Sequence, residues 1–382
     1  MRVVLLTQDF PPMEGGTANF LQNICSELTG RGHDVRVITT AFPGDHAFDV
    51  QQPYRVQRYR LGRRLASAMP LLRFLSYVAS ENVDIALLGH AMGTSGLRAV
   101  LAAKWLGLPY AILAHGTDTV YVRTNPADAL VGRWVFRNAA RIFANSAFTK
   151  SLILKAGHPD RNLAILNPGV NADYFEPVHD RSDLVRKYGV LGRKVCLTVA
   201  RLADRKGHAD VLEALPAVIA EVPDVIYLIA GKGQLESALR QQVTDLGIAD
   251  HVRFLGYVPQ PDLPGLYNVC DVFVMPSYDW ANGEDVEGFG IVYLEANACG
   301  KPAIGTRSNG AVDAIRDGET GILVNPHDVR AIAAAITRLL TDDSYTQRLG
   351  RTARERIVRN FTWSRVGERL EQQLLQISRK SA

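Results

Sequence analysis

At 382 residues the chain is too long for one typical core, so it implies two domains of roughly 170–200 residues each. Hydrophobic residues make up 47% and charged residues 21%, which fits a soluble globular protein, and no stretch of 18 apolar residues argues for a membrane span. The net charge of +4 is uneven: residues 1–175 hold 18 Lys and Arg against 12 Asp and Glu, a balance of +6 that leaves −2 for the rest. Four cysteines (Cys25, Cys196, Cys270, Cys299) stand far apart with no CxxC pair. They read as small buried apolar residues in a reduced compartment, and the expected location is the cytoplasm.

The N-terminal run Val3–Thr7 has only four apolar residues before polar groups and Pro11-Pro12, so it reads as a buried strand rather than a signal segment. Glu14-Gly15-Gly16-Thr17 follows it and precedes a helical pattern over Asn19–Leu28. Glycines there let backbone approach a phosphate or sugar at a helix N-terminus, although the GxGxxG fingerprint of a dinucleotide site is missing. Further apolar runs at Val35–Thr39, Ile85–Leu88, Tyr110–Ala114, Ile142–Ala144 and Leu163–Leu166 alternate with helical patterns such as Gly96–Trp105. Strand–helix alternation of this kind predicts a parallel sheet covered on both faces. His115-Gly116 closes the Tyr110–Ala114 run, where a histidine can act through its side chain or its carbonyl, or be structural. Asn145-Ser146 holds the equivalent place one strand later.

Between Tyr54 and Ser80 six arginines (Arg55, Arg58, Arg60, Arg63, Arg64, Arg73) occur among leucines without one acidic residue. Such a stretch fits an anionic membrane surface, and equally a solvated loop followed by a core helix. The modest charge and the lack of any RRM, KH or zinc-finger pattern exclude nucleic acid as the expected partner.

Asn167-Pro-Gly-Val-Asn-Ala-Asp-Tyr-Phe175 is turn-rich and reads as a linker, after which the alternation restarts with Val195–Ala200, Ile226–Ala230, Val252–Leu255, Val272–Met275, Ala303–Gly305 and Gly321–Val324. Helical patterns at Val329–Leu340 and Gly367–Leu375 close the chain. The expected domains are residues 1–172 and 173–364, with a last helix near 365–382 set back onto the first. Two doubly wound domains of this kind are expected to face each other across a cleft between the carboxyl ends of their strands.

Two motifs in the second half carry chemistry. Arg201-Leu-Ala-Asp-Arg-Lys206-Gly207 follows the Val195–Ala200 strand, so a planar fork and a compact charge can be aimed together at a diphosphate. Glu287-Gly-Phe-Gly-Ile-Val-Tyr-Leu-Glu295 places two carboxylates eight residues apart around a turn that opens a helix over Ile291–Ala298. The free N–H groups of that helix make an anion site, with one carboxylate on the loop before it and the other one to two turns inside. A phosphate flanked on both sides by hydroxyls describes a nucleotide sugar. No DxD, HExxH or His/Cys cluster suggests a metal, and no cofactor is expected.

With Glu14-Gly-Gly, His115-Gly, Asn167-Pro-Gly-Val, Arg201…Lys206-Gly, Phe254-Leu-Gly and Glu287-x7-Glu295 together, the chain resembles the retaining GT-B glycosyltransferases of family 4 over nearly its whole length. The segment from Asp285 to Ala296 is similar to the phosphatidylinositol mannosyltransferase branch, which uses GDP-mannose. The resemblance implies that Arg201 and Lys206 grip the donor diphosphate with the backbone of Phe289, Gly290, Ile291 and Val292, and that Gly15 and Gly16 approach it. It further implies that Glu295 binds ribose hydroxyls, Glu287 the transferred sugar, Val258 the base through its backbone, and that His115 lies beside the reacting centre. The implied reaction moves a hexose, mannose from GDP-mannose, to an acceptor hydroxyl with retention and without metal. The acceptor is a lipid-linked or saccharide molecule, at the inner face of the membrane in the lipid case. Two alternatives stay open at this stage: a UDP-hexose donor with a soluble acceptor, and a non-catalytic sugar-nucleotide-binding protein.

Overall fold

The computed structural model describes residues 1–59, 80–89, 100–101, 103–104, 106–116, 126–279 and 286–381. They divide into two compact units: Met1–Gly169 with Trp363–Ala382, and Val170–Thr362. The chain therefore leaves the first unit once and returns to it through its last helix.

In the first unit, β1 (Arg2–Leu6), β2 (Asp34–Thr40), β3 (Arg55–Tyr59), β4 (Ile85–Leu88), β5 (Tyr110–Ala114), β6 (Arg141–Ala144) and β7 (Leu163–Ile165) form one sheet in the order β3-β2-β1-β4-β5-β6-β7, every pairing parallel. Strands β4 and β5 are buried along their whole length, as parallel strands covered on both faces must be. The edge strand β3 occupies the start of the basic stretch, where the sequence alone reads as a membrane-facing segment or a solvated loop followed by a core helix. Its sequence, Arg-Val-Gln-Arg-Tyr, is too polar to signal a strand, and an edge tolerates that. Arg58 is also taken: it donates to Asp49 at 2.8 Å and to the Thr40 carbonyl at 3.0 Å. The remaining arginines of that basic stretch, Arg60, Arg63, Arg64 and Arg73, lie outside the described residues.

Helix Gly16–Gly30 and the closing helix Trp363–Ser381 pack on the same face of this sheet. Val366, Leu370 and Leu374, spaced by four, are buried there, and Trp363 meets the Phe20 ring at 6.0 Å. Glu371 is held by His33 at 2.9 Å and Arg31 at 3.3 Å.

The second unit repeats the plan with six parallel strands: β8 (Lys194–Val199), β9 (Val225–Ala230), β10 (Val252–Gly256), β11 (Val272–Val274), β12 (Ala303–Thr306) and β13 (Gly321–Val324), in the order β10-β9-β8-β11-β12-β13. Both sheets thus reverse direction once, beside their first strand. In the second unit the reversal lies between β8 and β11, which pair at Cys196–Val272 and Leu197–Phe273. The carboxyl ends of strands at such a reversal are the usual ligand position in sheets of this kind.

Candidate functional site

The second unit brings both of its sequence motifs to the carboxyl ends of β8 and β11. Strand β8 runs into Arg201 and a single helical turn, Asp204–Lys206. Strand β11 runs into Met275-Pro-Ser and, beyond the undescribed residues 280–285, into Glu287. The two loops are tied together: the Tyr278 N–H donates to the Arg205 carbonyl at 2.9 Å. Gly207 lies so close to Pro276 that a β-carbon on it would stand 2.4 Å from the Pro276 oxygen.

This tie delivers two cations onto one carboxylate. Arg205 donates from Nη1 to Glu287 Oε2 at 2.9 Å, and Lys206 Nζ donates to the same oxygen. All three side chains are nearly buried, with 12%, 12% and 11% of their surface exposed. Burial alone pushes the Glu287 carboxyl up, but Lys206 and Arg205 outweigh it and hold the group below its ordinary value. Burial lowers the Lys206 ammonium, and Glu287 opposes that shift. Arg201, at the strand end, is exposed.

The Glu287 segment is braced from behind. The Gly310 N–H donates to the Glu287 carbonyl at 2.8 Å, and a β-carbon at Gly310 would sit 2.1 Å from the Gly288 oxygen. Asn309 holds this turn by donating to the Ser277 carbonyl at 3.0 Å. Phe289 is buried against Phe361, and Gly290 takes φ 85°, a left-handed value that a β-carbon would strain. Helix Ile291–Ala298 begins there. Its N-cap is a glycine with no side chain to offer, so the N–H groups of Ile291 and Val292 open the helix uncapped.

Glu295 lies one turn inside that helix, buried at 7% exposure. The Tyr267 hydroxyl donates to its Oε2 at 2.6 Å. Burial pushes the carboxyl up to about 7, with the tyrosine bond working against the shift. The tyrosine is itself raised well above its usual range by burial first and by the charge of Glu295 second.

Beneath the basic loop, buried His208 has Nε2 3.3 Å from the Arg201 carbonyl. Burial lowers its pKa to about 4, so at neutral pH the ring is uncharged and Nε2–H donates to that carbonyl. Val258 follows β10, partly buried against the core, after the Gly256 carbonyl accepts from Gly231 N–H at 2.7 Å.

In the first unit, Gly15 and Gly16 are exposed at the start of helix Gly16–Gly30, which no side chain caps. His115 leaves β5 with its ring against the edge of Phe20 at 5.1 Å, and its carbonyl accepts from Asn145 Nδ2 at 3.4 Å. Ser146 acts structurally. Its hydroxyl, fully buried, accepts from the Thr149 N–H at 2.9 Å and caps helix Ala147–Lys155.

Residues 14–174 match the family model described as Glycosyltransferase Family 4, and residues 180–356 match that of Glycosyl transferases group 1. The chain is 32% identical to the GDP-mannose-dependent alpha-(1-6)-phosphatidylinositol monomannoside mannosyltransferase of Mycolicibacterium smegmatis, over 97% of this chain and 98% of that protein. The chain belongs to glycosyltransferase family 4. A second relative, the GDP-mannose-dependent enzyme of Corynebacterium glutamicum acting on monoacylated phosphatidylinositol monomannoside, is 29% identical over 97% of this chain and 96% of its own. Among solved structures, Anabaena HepE in complex with UDP superposes with a TM-score of 0.84 at 21% identity, covering 98% of this chain and all 100% of HepE. That likeness establishes the GT-B fold of this glycosyltransferase.

Sequence reading of this family 4 member named Glu287 and Lys206, which the fold brings into contact, and Glu295 with the open helix end beside it. It did not single out Arg205, Tyr267, His208 or Gly310. Arg205 was within the quoted motif, and a second cation directly next to Lys206 was the available signal. Tyr267 and Gly310 carry no local signal, because their partners are remote in sequence.

Proposed function

We propose that this glycosyltransferase moves mannose from GDP-mannose to a hydroxyl of a lipid-linked acceptor, with retention of anomeric configuration and without a metal ion. The near full-length identity to GDP-mannose-dependent mannosyltransferases carries the reading, and the geometry of the second unit supports it. Arg201, Lys206 and the N–H groups of Phe289, Gly290, Ile291 and Val292 take the diphosphate, so that cations and a helix end neutralise the leaving group. Glu287 accepts from hydroxyls of the transferred sugar, Glu295 from those of the ribose, and backbone at Val258 meets the base. With charge on the leaving group stabilised in this way, the sugar departs as an oxocarbenium-like species and the acceptor hydroxyl attacks the same face. Among the described residues no helix is long and apolar enough to cross a membrane. The enzyme would therefore reach a lipid acceptor from the membrane surface.

The test is the thermal midpoint of the purified protein with GDP, UDP or ADP, each with and without magnesium, since a ligand of the native state raises it through RT ln(1 + [L]/Kd). A shift with GDP alone, equal without magnesium, is the expected result. It is followed by transfer from GDP-mannose to phosphatidylinositol monomannoside in vesicles and assignment of the product anomer. A shift with UDP alone would replace GDP-mannose by a UDP-hexose. No shift with any nucleotide would overturn the donor site.

A further inference from the structure

Lys206 is already engaged, because its ammonium and the Arg205 guanidinium share the Oε2 oxygen of Glu287. On the reading proposed above, Lys206 must also serve a diphosphate, and it cannot give its full charge to both anions. A buried carboxylate stripped of its sole cation is strongly destabilised and takes up a proton instead. Glu287 has a second cation in Arg205, carried on a turn whose backbone is tied down. The Arg205 carbonyl is held by Tyr278 N–H at 2.9 Å, and the Lys206 N–H closes the turn onto the Ala203 carbonyl at 3.0 Å. The chemistry of the two cations also differs. Arg stays charged at any working pH and keeps a preorganised fork, whereas Lys carries a compact charge on a flexible stem.

We propose that Arg205 is a positioning residue that keeps Glu287 ionised and in place while Lys206 swings from Glu287 to the donor diphosphate. Donor binding is then an exchange of partners: one carboxylate and two cations become two separate pairs when the donor arrives. This proposal rests on the donor reading above and adds a role to a residue which that reading leaves idle. Both cations contact one oxygen, so the exchange frees a Glu287 lone pair for a sugar hydroxyl at the moment the diphosphate binds.

The test has two arms. In the first, Arg205→Gln and Arg205→Lys are compared with wild type for GDP affinity by calorimetry and for hydrolysis of GDP-mannose without acceptor from pH 3.5 to 8, a window that includes a carboxyl held below its ordinary value. Arg205→Gln is expected to change GDP affinity by less than about threefold while lowering kcat by about tenfold or more. The acid limb of its kcat profile should move up by about one pH unit, and Arg205→Lys should recover most of both. A loss of GDP affinity in step with kcat would overturn the proposal, since Arg205 would then be a diphosphate ligand. An unmoved acid limb would overturn it too.

The second arm needs no nucleotide. Thermal midpoints of Lys206→Ala and of the double variant Arg205→Gln/Lys206→Ala are followed from pH 3.5 to 8. With Arg205 present Glu287 keeps a lowered pKa, so its contribution is flat from pH 8 down to the ordinary carboxyl value and is lost only below that. With both cations gone its pKa is raised, so stability falls as pH rises. Identical profiles for the two variants would overturn Arg205 as the second holder. If wild type neither binds GDP nor hydrolyses GDP-mannose, the donor reading and the exchange both fail, while this arm still decides whether Arg205 alone keeps Glu287 charged.

Discussion

Glu295 is a carboxylate that burial carries into the neutral titration range. Burial raises it to about 7, and the Tyr267 bond at 2.6 Å offsets only part of that. Two pH effects of opposite sign follow. For folding, a raised pKa means that the native state holds a proton the unfolded chain has lost. That stabilisation is full below the ordinary carboxyl value and fades as pH rises through about 7. On the donor reading proposed above, a ribose hydroxyl would donate to the ionised form, so nucleotide affinity should rise between about pH 6 and 8 as the proton leaves. Glu295→Gln should flatten that rise and bind GDP about tenfold more weakly at pH 8, the order expected for losing a hydrogen bond to a charged acceptor. Calorimetry across the range checks it, and a wild-type affinity independent of pH would refute the assignment. The eight-residue spacing made Glu287 and Glu295 legible in the sequence, since a turn and a helix fix such geometry locally. Arg205 and Tyr267 meet them across 82 and 28 residues of chain, and no local pattern encodes a contact of that range.

At the scale of elements, the alternation of apolar runs located twelve of the thirteen described strands: the inner ones because a parallel strand buried on both faces must be apolar throughout, and edge strands such as β7 and β10 because they still keep apolar runs. Strand β3 escaped because it has no apolar run. An edge strand with one wet side can be written with Arg, Gln and Tyr. Also unreadable was the brace behind the Glu287 turn, which depends on how closely two loops approach. Gly310→Ala tests that brace. Its methyl carbon would stand 2.1 Å from the Gly288 oxygen and 2.5 Å from the Phe289 α-carbon, both backbone atoms that cannot rotate away. The substitution should cost about 1–3 kcal/mol, as overpacking does, and should lower kcat further by displacing Glu287. Gly30→Ala is the control: a β-carbon there meets nothing within 4 Å, so it should leave stability unchanged or raise it by up to about 1 kcal/mol. Urea unfolding with a parallel transfer assay reads both. Equal effects from the two substitutions would remove the brace from the account.

At the scale of the molecule, the chain crosses from the first unit to the second at Gly169–Val170 and back at Thr362–Trp363. The terminal helix therefore belongs to the fold of the first unit although the whole second unit separates it in sequence. Val366, Leu370, Leu374 and Ile377 are all buried in the core that also holds Phe20, Leu21 and Ile24. Each such side chain contributes about 1.5–3 kcal/mol by leaving water, so the four together rival the roughly 5–15 kcal/mol net stability of a typical domain. The Glu371 contacts to Arg31 and His33, being partly exposed, add little to this. Ending the chain after Thr362 should therefore unfold the first unit and spare the second, whose sheet and two-cation site lie wholly within Val170–Thr362. Calorimetry of the truncated protein should lose one transition, and the surviving transition should still move upward with GDP. Trypsin should digest residues 1–169 while leaving the rest protected, because cleavage follows the population of the open form. A truncated protein with both transitions at their full-length temperatures would show that the terminal helix only decorates a core complete without it.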